Sequence, residues 1–121
     1  MRVAAADLGK ARTGLAVSDE RGITARPLAT IETGRLAEEL RALVADGIST
    51  IVVGRPRTLS GELGSQAAWV EEQVTELERS IPATFVYEDE TASTVEAAAA
   101  GDGSDAGAAR VILQGYLDEH A

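Results

Sequence analysis

The chain has 121 residues, 45% of them hydrophobic, with 20 acidic and 11 basic side chains, a net charge of −9 and no cysteine. That size suits one domain with a buried core, and the missing cysteines exclude a disulfide scaffold, a thiolate metal site and a cysteine nucleophile. No apolar run reaches the roughly 18–20 residues of a membrane span, and the short apolar start is not a signal peptide, so a soluble, cytoplasmic protein with a single domain over residues 1–121 is expected.

Residues 2–7 hold the apolar run Val3-Ala4-Ala5-Ala6 and lead into Leu8-Gly9, which predicts a buried strand and a turn. Residues 13–18 pair back with them as a hairpin. Residues 23–32 read as a third strand, interrupted near Pro27, which belongs at an edge or a bulge because it cannot donate to a ladder. Leu36, Leu40, Leu43 and Val44 recur at helical spacing and predict a helix near 34–46, with Gly47 as its stop. Residues 50–54 are β-branched and apolar, as in a central strand. A helix near 63–79 follows, striped by Ala67, Val70, Val74 and Leu77. Residues 83–88 read as a strand and residues 92–99 as a short helix. The last helix, near 105–118, places Asp105, Ala109, Ile112 and Tyr116 on one face. The order β-β-β-α-β-α-β-α-α predicts an α/β fold with a mixed five-stranded sheet and helices on both faces, an order found in the ribonuclease-H-like fold.

Charge is unevenly distributed. Residues 1–60 hold nine basic and seven acidic groups, and residues 61–121 hold two and thirteen. The acidic total argues against a generic nucleic-acid binder, because counterion release rewards a basic face. It leaves open a local basic rim built from Lys10, Arg12, Arg21, Arg26, Arg55 and Arg57.

Three acidic positions stand where chemistry gathers. Asp7 lies at the carboxyl end of the first strand, Glu88-Asp89-Glu90 at the end of the strand containing Phe85 and Val86, and Asp105 at the start of the last helix. Ligands of open α/β sheets collect at the carboxyl ends of strands. Convergent carboxylates suit the hard cations Mg²⁺ and Mn²⁺, and a pair of such ions supports phosphodiester hydrolysis without Cys or His. Each acid also has a plainer role, in a turn, a solvated run or a helix first turn. Gly54-Arg55-Pro56 is either a phosphate-lining strand end or a plain terminus. Trp69 reads as packing, and His120 as a terminal residue without a role. No Gly-Lys-Ser/Thr follows Gly9 and Gly14, so a P-loop is disfavoured.

The chain resembles the YqgF family, also called RuvX-like or Holliday-junction-resolvase-like proteins and known as pre-16S rRNA nucleases. The likeness rests on Asp7-Leu8-Gly9 with Arg12, Gly14 and Ala16-Val17-Ser18-Asp19. It continues through Ile51-Val52-Val53-Gly54 with Pro56, Gly61 and Gln66, then Asp89-Glu90. Asp105 leading into Ile112-Leu113-Gln114 and Tyr116-Leu117-Asp118 completes it. The resemblance implies a ribonuclease-H-like fold and a Mg²⁺- or Mn²⁺-dependent nuclease acting on pre-16S rRNA or a ribosomal particle. Structured DNA is the alternative substrate, and a non-catalytic RNA-binding maturation factor the alternative function. It implies Asp7, Glu90 and Asp105 as catalytic residues and metal ligands. Water would attack in line, leaving a 5′-phosphate and a 3′-hydroxyl. Arg12 would contact a substrate phosphate, aided by Lys10.

The chain departs from the family pattern in four places. The segment before Gly14 reads Lys10-Ala11-Arg12, Thr91 replaces an Arg, Arg55 replaces a common Leu, and an acidic stretch, 101–104, replaces a basic loop before Asp105. Arg55 and Arg57 are expected to compensate in part as substrate-binding groups.

Overall fold

The computed structural model describes residues 2–56, 64–90 and 105–120, without the side chain of Glu90. The expected helix over 92–99, Arg57 and the acidic loop 101–104 lie outside the described residues.

Strands β1 (Val3–Leu8), β2 (Arg12–Ser18) and β3 (Ala25–Glu32) form an antiparallel meander. A 3₁₀ turn over Thr33–Arg35 leads into α1 (Leu36–Ala45). Strand β4 (Thr50–Pro56), helix α2 (Ser65–Ser80), strand β5 (Thr84–Glu90) and helix α3 (Asp105–Glu119) follow. The five strands lie in the order β3-β2-β1-β4-β5, with β4 parallel to both β1 and β5. The mixed sheet expected from the sequence is present.

The pleat sorts the side chains into two cores. Ala4, Ala6, Leu8, Leu15, Val17, Ile51 and Val53 pack against α1 and α2 through Leu36, Leu40, Val70, Val74 and Leu77. Val3, Ala5, Ala16 and Val52 pack against α3 through Ala109, Ile112, Leu113 and Leu117. Strands β1 and β4 are covered on both faces, which explains their unbroken apolar runs. Trp69 packs on the first core, as expected.

Pro27 sits on the edge strand. The register shifts between Leu15 and Ala16, which face Ala29 and Pro27, so Leu28 is left over in a bulge and stays 41% exposed. Gly47 ends α1 with φ of 111°, a conformation that glycine adopts without a steric penalty. On α3 the buried stripe runs through Ala106, Ala109, Ile112, Leu113 and Leu117. Tyr116, expected on the same face as Asp105, flanks that stripe half-buried and stacks on His120, with ring centroids 4.1 Å apart. Among the described residues no helix is long and apolar enough to cross a membrane.

Candidate active site

Asp7 belongs to the α3 face of the sheet, because it follows the parity of Val3 and Ala5. Directly across the hairpin it pairs with Gly14, and Gly14 in turn pairs with Thr30. Paired residues share a face, so these three form one row over β1, β2 and β3. The first turn of α3 rests on that row. A Cβ on Gly14 would overlap the Asp105 carbonyl and the Ala106 amide. Thr30 Oγ1 accepts the Ala106 N–H at 3.2 Å, satisfying one of the amides that a helix start leaves without an internal partner. Farther along, the Gln114 side chain accepts from Ala25 N–H and donates to the Ile23 carbonyl, both at 2.9 Å. These contacts bring Asp105, 98 positions away in sequence, to the end of β1.

The two carboxylates feel one another. Burial pushes Asp7 from 3.8 up to about 6, and the charge of Asp105 adds to that shift. Arg12 approaches Asp105, with Nε 3.7 Å from Oδ2; both side chains are well exposed, at 72% and 42%. Lys10 is exposed in the hairpin loop. That loop is held from behind: Thr33 Oγ1 donates to the Gly9 carbonyl at 2.6 Å, and the buried Thr13 hydroxyl then donates to Thr33 Oγ1 at 2.8 Å. Gly9 closes the turn through its N–H to the Arg12 carbonyl, and a Cβ there would meet that same oxygen.

The acids of β5 separate. Burial and the neighbouring Glu119 raise the pKa of Glu88, which places it beside the carboxyl end of α3. Asp89 accepts from Arg55 Nε at 2.9 Å. Arg55 shares parity with Val53, so this pair lies on the α1–α2 face, away from Asp7. The structure does not bring Arg55 together with Lys10 and Arg12. The backbone of Glu90 pairs with Pro56 at the last rung of the β4–β5 ladder. Among the described residues no group of three acidic or histidine side chains is gathered, and of the three expected acids the structure brings together Asp7 and Asp105.

Two functional features were not anticipated in the sequence. Thr30 anchors the helix start, and Gly14 admits it. Counting the rungs of the meander from Asp7 places both in its row, while the helix that lands on them is set by tertiary packing.

The RuvX family, described as Holliday junction resolvase, matches residues 1–119. A Geobacillus thermodenitrificans protein named "Putative pre-16S rRNA nuclease" is 41% identical, covering 98% of this chain and 98% of its own. One of the same name from Rubrobacter xylanophilus is 45% identical, over 77% of this chain and 68% of its own. Among solved structures, T. thermophilus RuvC in complex with a Holliday junction substrate has a TM-score of 0.60 at 19% identity, covering 99% of this chain and 95% of its own. The fowlpox virus Holliday junction resolvase has a TM-score of 0.61 at 9% identity over all of both chains. At such identities the two structures establish the ribonuclease-H-like fold alone. The family match over residues 1–119 and the Geobacillus relative's likeness along nearly its whole length carry more: this chain belongs to the RuvX family.

Proposed function

We propose that this chain is a Mg²⁺- or Mn²⁺-dependent nuclease that hydrolyses phosphodiester bonds in the 5′-end maturation of the 16S rRNA precursor. The observation that carries the reading is the meeting of Asp7 and Asp105 at the carboxyl end of β1, where burial drives one carboxylate up to about 6. Two facing carboxylates without a cation destabilise the fold, and a binding-only surface gains nothing from them. The relatives named for pre-16S rRNA support RNA as the substrate.

The donor set fits the ion. Asp7 and Asp105 offer carboxylate oxygens, the hard donors that Mg²⁺ and Mn²⁺ prefer. Glu90 is the third ligand in this reading, supported by Glu88 and Asp89 being engaged elsewhere. When bound, the cation would neutralise these groups and stabilise the charge that builds on phosphate oxygens during attack by water. Asp7 stands half-buried at the carboxyl end of β1. Arg12, exposed beside Asp105, is the residue that reaches a substrate phosphate, with Lys10 on the same loop.

The test is cleavage of end-labelled RNA carrying the 5′ precursor segment of small-subunit rRNA, in Mn²⁺, Mg²⁺ or EDTA. A four-way DNA junction runs in parallel, with Asp7→Asn as the control. Metal-dependent RNA cutting that vanishes in the variant is the expected result. Cutting of the junction alone would make DNA the substrate. No cutting of either would overturn the nuclease reading.

A further inference from the structure

The carboxyl ends of β4 and β5 are tied together on the face opposite Asp7. Arg55 Nε donates to Asp89 Oδ1 at 2.9 Å, and its Nη1 lies 3.8 Å from Glu71 Oε1 on α2. Its guanidinium carbon sits 4.7 Å from the centre of the Tyr87 ring. The side chain is only 21% exposed. One arginine therefore joins three elements, using its fork, its charge and its planar face at once.

Such an arginine is poorly placed to grip a mobile phosphate. Its stacking face and its Nε are occupied, and engaging an anion would mean giving up two carboxylates. Its partner, Asp89, immediately precedes Glu90 in sequence, and the two form the last rungs of the ladder with Arg55 and Pro56. Holding Asp89 holds the peptide that leads into Glu90. A side-chain clamp opposes the fraying to which terminal rungs are prone.

We propose that Arg55 is a positioning residue that, through Asp89, fixes the end of β5 so that Glu90 is presented at the carboxyl edge of the sheet. The proposal rests on the reading of Glu90 as a metal ligand. It gives Arg55 a supporting part beneath the cation site and removes it from the expected phosphate contacts.

The test is Mn²⁺ binding by calorimetry on the full chain, with Asp7→Asn as the reference for the site itself. Arg55→Met and Asp89→Ala should each weaken Mn²⁺ binding by about tenfold, the usual size of an effect on a ligand's support. The double variant should be no worse than the weaker single one. Arg55→Lys, which keeps charge but loses the fork, should fall between. RNA binding in EDTA should keep its salt slope in Arg55→Met. Melting curves establish that each variant is folded, and Asp89→Ala carries the test if Arg55→Met is not. Wild-type Mn²⁺ affinity in the folded Arg55 and Asp89 variants would overturn the proposal while leaving the site intact. A flattened salt slope with unchanged Mn²⁺ affinity would return Arg55 to the phosphate path. Mn²⁺ binding that survives Asp7→Asn would overturn the underlying site, and the proposal with it.

Discussion

Gly14 carries the first turn of α3 on its bare Cα, with the carbonyl of Asp105 where a side chain would begin. The contact is backbone against backbone, so neither side can yield by changing a rotamer. Gly14→Ala must therefore push the helix start off the sheet, and Asp105 moves away from Asp7. The expected loss is about 1–3 kcal/mol or more in stability, together with Mn²⁺ affinity. Chemical denaturation and calorimetry check the two effects separately.

The pH dependence of Asp7 has a definite sign. Its carboxyl releases its proton near pH 3.8 in the unfolded chain and at about 6 in the folded one. Below pH 3.8 both states are protonated and nothing is lost. Between the two values the folded state binds more protons, so stability falls as pH rises. Above about 6 the full penalty applies, on the order of 3 kcal/mol at 1.36 kcal/mol per unit. Asp7→Asn escapes it. The metal-free variant should be more stable than wild type by about 1–3 kcal/mol at pH 8 and equal to it near pH 3.5. Mg²⁺ should raise the melting temperature of wild type at pH 8 and leave the variant unmoved.

Much of this arrangement could be read from the sequence, because it is local. The short apolar run that ends at Asp7, the stripe of Leu36 and Leu40, and Pro27 on an edge all follow from short-range pattern. What could not be read depends on pairing between distant segments. Arg55 stands beside a strand end, as a phosphate ligand would, but the face it occupies follows from the registers of β1 with β4 and β4 with β5. Glu88, Asp89 and Glu90 look alike as a run; α3 and Arg55 separate them. Tyr116 and Asp105 share helical spacing, yet the burial of Leu113 and Leu117 rotates the stripe away from the tyrosine.

Thr30 caps a helix from outside it. Its Oγ1 is the acceptor for the Ala106 amide, and valine would keep the shape without the oxygen. Thr30→Val should lower stability by about 1 kcal/mol, as the loss of a helix cap does. Amide hydrogen exchange should quicken in the first turn of α3 and stay unchanged in α1.

Arg12 separates a stability role from a substrate role. It faces Asp105 at 3.7 Å, but with 72% of its side chain exposed that pair is bathed in solvent and screened by salt. Exposed pairs contribute about 0–1 kcal/mol, so Arg12→Ala should barely shift the unfolding midpoint. The charge it offers to a nucleic acid is another matter, because each neutralised phosphate releases counterions and steepens the salt dependence of binding. If Arg12 contacts a phosphate, Arg12→Ala should weaken RNA binding in EDTA and flatten its slope against log salt by about 1. Filter binding across a salt series measures that slope. An unchanged slope would confine Arg12 to its exposed pairing with Asp105 and shift the basic contact to Lys10, two residues earlier in the same hairpin.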